Sequence, residues 1–84
     1  MGCRITQHLD ELDNRVFSLI NEYDKNIARA ELIGASYAKA KVSPNAIRAI
    51  IAYAEWSRDN DVVYHQEAHE ATIKGLKWAL EQME

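Results

Sequence analysis

The 84-residue sequence is poor in the residues that cross-link or break a chain. It has a single cysteine, Cys3, so no disulfide can form within the chain, which suits a reducing compartment. It has one proline and three glycines, far from the composition of a disordered chain. The longest apolar run, residues 49–54, falls well short of the roughly 20 residues that a membrane-spanning helix needs. We therefore predict one folded domain, residues 1–84, without a transmembrane segment.

The chain also lacks an excess of positive charge. Its net charge is −3, and the basic residues are concentrated between positions 25 and 48. Nucleic-acid-binding domains usually carry a domain-wide basic excess, so no nucleic-acid partner is predicted, although a local anion site remains open. The first residues do not follow the basic-then-apolar pattern of a secretory signal. The expected location is the cytoplasm.

The apolar residues of the first half follow the period of a helix. From position 5 to position 37 they recur at alternating intervals of three and four, as on one helical face. We predict one long helix that begins at about Thr6, a suitable N-cap, and continues to about Lys41. No stretch alternates with period two, so no strand is expected.

The second half predicts another long helix. Ser43 followed by Pro44 is typical of an N-cap and the first helical residue, because proline lacks only an N–H that the helix leaves unpaired. The polar residues 57–61 interrupt the apolar stripe, so we expect a break or kink near Asn60. The predicted fold is all-α: an antiparallel hairpin of two long helices that completes a helical bundle by oligomerisation.

Small residues form two similar stripes, and each has a glycine at its centre. A glycine inside a helix costs about 1 kcal/mol relative to alanine, which close approach of another backbone can offset. The hairpin register places Gly34 and Gly75 apart, so they mark two separate contacts, both within the hairpin or one of them between copies. The stripes comprise Ala30, Gly34 and Ala38, and Ala71, Gly75 and Ala79.

Several large apolar residues lie off the predicted seams, which leaves more apolar surface than one hairpin can bury. We therefore predict a homo-oligomer, most simply a dimer that forms a four-helix bundle. The off-seam residues are Phe17, Ile20, Leu32, Tyr53, Trp56 and Trp78. The candidate oligomer-packing residues are Gly34, Gly75, Trp56 and Trp78.

Two histidines, His65 and His69, are the closest approach to a chemical motif. Their spacing of four puts both on one helix face, as in zinc sites. Zinc hydrolases of this type need a glutamate next to one histidine, whereas Glu67 lies two residues from each and points away. The Glu-x-x-His pattern of di-iron bundles is not present either. No metal, cofactor or catalytic residue is predicted.

The histidine pair has three interpretations that the sequence leaves open. In the favoured one, His65 and His69 are core or interface residues that hydrogen-bond to Tyr23, Tyr64 or backbone and lie near Ile20 and Val16 of the first helix. In the second, the pair contacts a ligand or forms a pH-sensitive interface, since histidine titrates near neutrality. In the third, a second copy or His8 completes a metal site.

Basic residues gather at the predicted turn between the two helices. The hairpin register brings Lys39, Lys41 and Arg48 together there, with Tyr37 beside them. Such a cluster can bind a phosphate or an acidic partner, or it can be a solvated charged tip. His65 and His69 complete the set of candidate ligand-binding or partner-binding residues.

The opening sequence MGCRIT resembles the start of dually acylated signalling proteins. The resemblance covers six residues and implies myristoylation at Gly2 with palmitoylation at Cys3. Two acyl chains would anchor the protein stably to a membrane. Without them no membrane contact is predicted.

The predicted function is binding rather than catalysis. The sequence has no Ser-His-Asp arrangement with supporting spacing and no phosphate-binding glycine loop. We expect a small adaptor, regulator or inhibitor of another protein, of the bacterial or phage accessory type. The first alternative is a helical oligomer that binds a small anionic ligand such as a nucleotide. The second is the acylated, membrane-associated regulator.

Overall fold

The computed structural model describes residues 3–84, and the described chain is all-α, which confirms the predicted class. It contains four helices within that range: α1 (Cys3–Ser18), α2 (Glu22–Ser36), α3 (Pro44–Asn60) and α4 (Val63–Met83). The start of α3 and the break near Asn60 are as predicted. The first half differs, because it forms two helices instead of one.

Asn21 divides the first half of the chain. Its side-chain oxygen accepts hydrogen bonds from the backbone N–H groups of Tyr23 at 2.8 Å and Asp24 at 3.2 Å, so it caps a new helix. The acidic residues Glu22 and Asp24 in the first turn favour a helix start there. The prediction of one helix from about Thr6 to about Lys41 is therefore wrong in the middle. The ends also differ, since α1 already includes Cys3 and α2 ends at Ser36.

The connection between α2 and α3 begins with a tightened turn. The N–H of Ala38 bonds to the carbonyl of Ala35, and the N–H of Lys39 bonds to that of Ser36, each at 3.0 Å. These hydrogen bonds between residues three apart, as in a 3₁₀-helix, satisfy backbone carbonyls at the end of α2. Ser43 then caps α3 as predicted, since its hydroxyl accepts from the backbone N–H of Ala46 at 3.2 Å.

The four helices lie side by side in the order α1, α2, α4, α3. Only the pairs α1 with α2, α2 with α4, and α3 with α4 make extensive contacts among the described residues. The molecule measures 37 × 30 × 14 Å. The shortest extent is less than half of either of the others, so the molecule is flat. The protein is thus a flattened layer of helices with two broad faces.

The central pair, α2 and α4, runs parallel. The rings of Tyr23 and Tyr64, each in the first turn of its helix, lie 5.3 Å apart, and Gly34 meets Gly75 further along both helices. The predicted two-helix hairpin and its antiparallel register are therefore not what the chain forms. The break at Asn21 is the reason, because it lets α1 fold back on α2 and frees α2 to pack against α4.

Gly34 and Gly75 face each other within the chain, contrary to the prediction that they lie apart. A Cβ atom on Gly34 would collide with the Thr72 carbonyl oxygen and lie 2.9 Å from the Leu76 nitrogen. A Cβ atom on Gly75 would collide with the Glu31 carbonyl oxygen and lie 3.0 Å from the Gly34 carbonyl carbon. Both glycines are buried, and together they let the two helix backbones touch.

The chain consists of two similar helical hairpins, α1–α2 and α3–α4, offset by about 41 residues. Each hairpin contributes one aromatic residue to the core of the other: Tyr37 packs on the second core, and Trp78 packs on the first. The first core comprises Leu9, Leu12 and Ala35 with Ile5, Leu32 and Trp78. The second comprises Ile47, Ile51, Ala54, Ile73 and Leu76 with Tyr37, Val42, Ile50, Leu80 and Met83.

Candidate binding surfaces

The two histidines share one carboxylate, that of Asp61, at the connection between α3 and α4. His65 Nδ1 lies 3.1 Å from both carboxylate oxygens, and His69 Nε2 lies 2.8 Å from Oδ2. The backbone N–H of Val62 donates to Oδ1 at 2.7 Å. Because an ionised carboxylate can only accept, each of these ring nitrogens carries its proton toward Asp61.

These hydrogen bonds hold the pKa of Asp61 well below its usual range, at about 2. The His69 bond contributes most, followed by the Val62 N–H and then His65. The expected partners Tyr23, Tyr64 and backbone are not the ones that bind the imidazoles, although Tyr64 packs edge-on against the His65 ring. The predicted proximity to Ile20 and Val16 followed from the incorrect hairpin register. Among residues 3–84, no group of three metal-binding side chains has the arrangement that a metal ion needs.

We expect Asp61 to make the stability of the protein depend on acid. A carboxylate with a lowered folded-state pKa stabilises the fold above its unfolded pKa, near 4, and the contribution disappears as the pH falls through about 2. Asp61→Asn should therefore lower the melting temperature at pH 5 and converge with the native protein near pH 2. Asp10→Asn, which removes a charge from the exposed face of α1, is the control and should change little at either pH. A constant difference down to pH 2 would contradict this role.

The predicted basic cluster does not form a single site. Lys39 and Lys41 are exposed in the connection between α2 and α3, whereas Arg48 pairs with Glu84 at 2.9 Å and donates to Asn45. Tyr37 is half-buried against the second core, so its ring is not presented to solvent as a platform. The charge of Arg48 is thus largely balanced within the chain.

The two tryptophans have different environments. Trp78 is half-buried, and its ring stacks on that of His8 with centroids 4.1 Å apart. Trp56 is 61% exposed on the outer face of α3, where its ring stacks with that of Tyr53, which is 69% exposed, with centroids 6.3 Å apart. A pair of large aromatic rings left exposed on a single chain is typical of a surface that a binding partner covers.

A second exposed apolar region lies at the end of the layer where the α1–α2 and α3–α4 connections meet. Phe17 and Val63 are each 79% exposed, Ile20 is 93% exposed and Tyr64 is 68% exposed. We call these four residues the apolar tip. The contact between Tyr64 and Tyr23 joins the two connections. The sequence predicts Phe17 and Ile20 as off-seam residues but not Val63 and Tyr64, because the predicted hairpin register aligns the stripe of α4 with the wrong helix.

The surroundings of the apolar tip are acidic. Of the two nearby basic side chains, Lys25 donates to the Val16 carbonyl at 2.9 Å, and Arg58 pairs with Asp59 at 3.0 Å. Burial and the nearby Glu67 carboxylate raise the pKa of the Tyr23 phenol. The acidic residues of the two segments that form this end of the molecule, 17–25 and 58–67, are Glu22, Asp24, Asp59, Asp61 and Glu67.

The N-terminal acylation pattern lies outside the described part of the chain. The predicted acylation positions are Gly2 and the side chain of Cys3. No helix in the described part of the chain has the length and apolar character to cross a membrane. Comparison of the chain with protein families, with curated proteins and with solved structures finds no match.

Proposed function

We propose that the protein acts by binding another protein, without catalysis, and that the partner seats an amphipathic basic segment on the apolar tip. The observation that carries the proposal is the near-complete exposure of Ile20. Phe17, three residues earlier in the chain, and Val63, at the same end of the layer, are also largely exposed. Such residues cost free energy in water unless a partner covers them. A regulator, adaptor or inhibitor would work in this way.

The shape of the molecule supports binding as its role. Stable domains are usually built from at least two layers, so that each element buries its apolar side against another. This chain is flat, with a shortest extent of 14 Å, and large apolar side chains at its surface, those of the apolar tip among them, have no covering element. A protein of this shape has much surface for its size and little depth in which to enclose a reaction.

Charge indicates what kind of partner fits the tip. The segments 17–25 and 58–67 carry five acidic and two basic residues, and both basic side chains are already bonded within the chain. A partner with lysine or arginine around an apolar stripe complements this surface, as in helix-in-groove recognition. An anionic membrane surface would be repelled by it.

A labelled peptide tests the proposal. The probe is an amphipathic peptide of leucine and lysine, about 18 residues or five helical turns long, and the control probe has glutamate in place of lysine. Fluorescence anisotropy should show binding of the lysine peptide and none of the glutamate peptide. Equal binding of both, or binding of neither, would contradict the proposal.

A matched pair of variants locates the site. Ile20→Ser and Ile33→Ser make the same change at two exposed positions, but only the first lies in the apolar tip. Burial of an isoleucine contributes about 1.5–3 kcal/mol, so Ile20→Ser should weaken peptide binding by about tenfold or more. Ile33→Ser should leave it unchanged. An equal effect of both substitutions would mean that the peptide binds elsewhere.

The basic cluster does not favour the anion-binding alternative, because Glu84 balances Arg48 and Tyr37 is packed in the second core. The acylated alternative depends on residues outside the described range.

A further inference from the structure

The outer face of α3 differs from the outer face of α1, the corresponding helix of the other hairpin. The positions of α1 and α3 correspond at an offset of 42, since Leu9 and Leu12 face the first core just as Ile51 and Ala54 face the second. The outward positions of α1 hold Gln7, Asp10, Glu11 and Asn14. The corresponding positions of α3 hold Ala49, Ala52, Tyr53 and Trp56. All eight are exposed.

The fold itself therefore does not require an apolar outer face on this helix, because α1 makes equivalent contacts with a polar one. A polar face is also the ordinary choice for a helix side that points into water. The apolar set on α3 needs another reason. Such a set on a helix exterior is typical of a contact with another helix.

The order of sizes along the α3 face is self-complementary. Read along the helix, the face has two small residues, Ala49 and Ala52, followed by two large ones, Tyr53 and Trp56. If two copies pair antiparallel about a two-fold axis between positions 52 and 53, Ala49 faces Trp56 of the other copy. Ala52 and Tyr53 lie about 100° apart on the helix, so each meets its own counterpart beside the axis. The Trp56 ring then has a small residue opposite it, and the two copies of Ala52 meet without a bulky side chain, so the helices can approach closely.

Charge and hydrogen bonding follow the same symmetry. The axis places Asn45 opposite Asn60 of the other copy, where two amides can pair. Arg48, on one flank of the face, comes between Glu55 and Asp59 of the other copy, on the matching flank. Within one copy Arg48 is about half exposed and is paired with Glu84, so its remaining donors can bond across the axis.

We propose that the outer face of α3 is the contact between two copies of this chain, paired antiparallel about an axis between Ala52 and Tyr53. This inference goes beyond the proposed function, because it uses neither the apolar tip nor a foreign partner. The pairing leaves the apolar tips free at opposite ends of the dimer, one for each copy. A dimer would therefore present two equivalent partner sites.

Sedimentation velocity tests the pairing. The native chain should sediment as a dimer, at twice 9.6 kDa, at concentrations of about 100 μM. Ala52→Glu places a carboxylate from each copy beside the axis and should raise the dissociation constant at least about 100-fold, because like charges meet where water is excluded. Position 52 is exposed, so the fold should survive, which circular dichroism verifies. A monomeric native chain, or a dimer that persists in Ala52→Glu, would overturn the proposal.

A control follows from the internal symmetry. Asn14→Glu adds the same charge at the α1 position that corresponds to Trp56, so it should leave the dimer intact. Peptide binding at the apolar tip is measured on the same variants. Ala52→Glu should retain it as a monomer, so that failure of the dimer and failure of the tip site are separate results.

Disulfide trapping tests the register. With Cys3→Ser as background, Ala52→Cys should cross-link under mild oxidation, because the two copies of position 52 meet at the axis. Asn45→Cys should not, since the two copies of position 45 lie about 22 Å apart along the helices, beyond the reach of a disulfide. Cross-linking of Asn45→Cys, or its absence in Ala52→Cys, would overturn the antiparallel pairing.

Discussion

Replacing Gly34 with alanine is expected to lower the free energy of unfolding by about 3 kcal/mol, at the upper end of the range for overpacked cores. The added Cβ would collide with the Thr72 carbonyl oxygen and crowd the Leu76 nitrogen. Both are backbone atoms in the middle of α4, so no side-chain rotation can relieve the contact. Normally glycine to alanine inside a helix stabilises a protein by about 1 kcal/mol, so the sign of the effect is diagnostic.

The control for Gly34→Ala is Ser36→Ala, which creates the same side chain on an exposed position two residues later in α2. It should change stability by no more than about 0.5 kcal/mol. Urea denaturation followed by circular dichroism measures both variants. An increase in stability for Gly34→Ala would mean that α2 and α4 do not approach each other as described. Gly75→Ala should repeat the loss, because its Cβ would meet the Glu31 carbonyl oxygen.

Leu76→Ala is expected to cost about 2–5 kcal/mol, because Leu76 is fully buried in the second core. The exchange of Tyr37 and Trp78 between the two cores predicts that this loss is felt throughout the chain. In a Trp56→Phe background, Trp78 fluorescence reports on the first core alone. Its urea transition and that of circular dichroism should shift together, as in two-state unfolding.

The matched control for Leu76→Ala is Ile33→Ala, which truncates an apolar side chain that is already 62% exposed. It should shift neither transition by more than about 0.5 kcal/mol. If Leu76→Ala moved the circular dichroism transition and left the Trp78 transition in place, the two hairpins would be independent units. That result would contradict the packing of Tyr37 and Trp78 across the cores.

Local signals in the sequence were enough to predict the helical class, the start at Ser43 and Pro44, and the break near Asn60. The break at Asn21 was not predicted, because the apolar residues continue across it at intervals of three and four. Only the side-chain amide of Asn21, which caps α2, marks the break in the sequence. Every packing error followed from that one omission. An unbroken first helix requires an antiparallel partner, whereas the folded-back α1 lets α2 run parallel to α4 and brings Gly34 to Gly75.

The binding surfaces were only partly accessible to sequence reasoning. Asp61 lies four residues before His65 and eight before His69, so helical spacing could have identified it as their common partner. The sequence predicts that Phe17 and Ile20 lie off the buried seams, and both are exposed. Their position beside the second connection was not predicted, because it depends on the parallel packing of α2 and α4, which brings Tyr64 next to Tyr23.

Chemical-shift mapping of the protein with the leucine–lysine peptide tests the proposed function most directly. Amide signals of residues 17–25 and 58–67 should shift as the peptide is added, while those on the outer face of α1 and around Lys39 and Lys41 should stay in place. Shifts confined to those other regions, or none at saturating peptide, would contradict the assignment of the apolar tip as the partner-binding site.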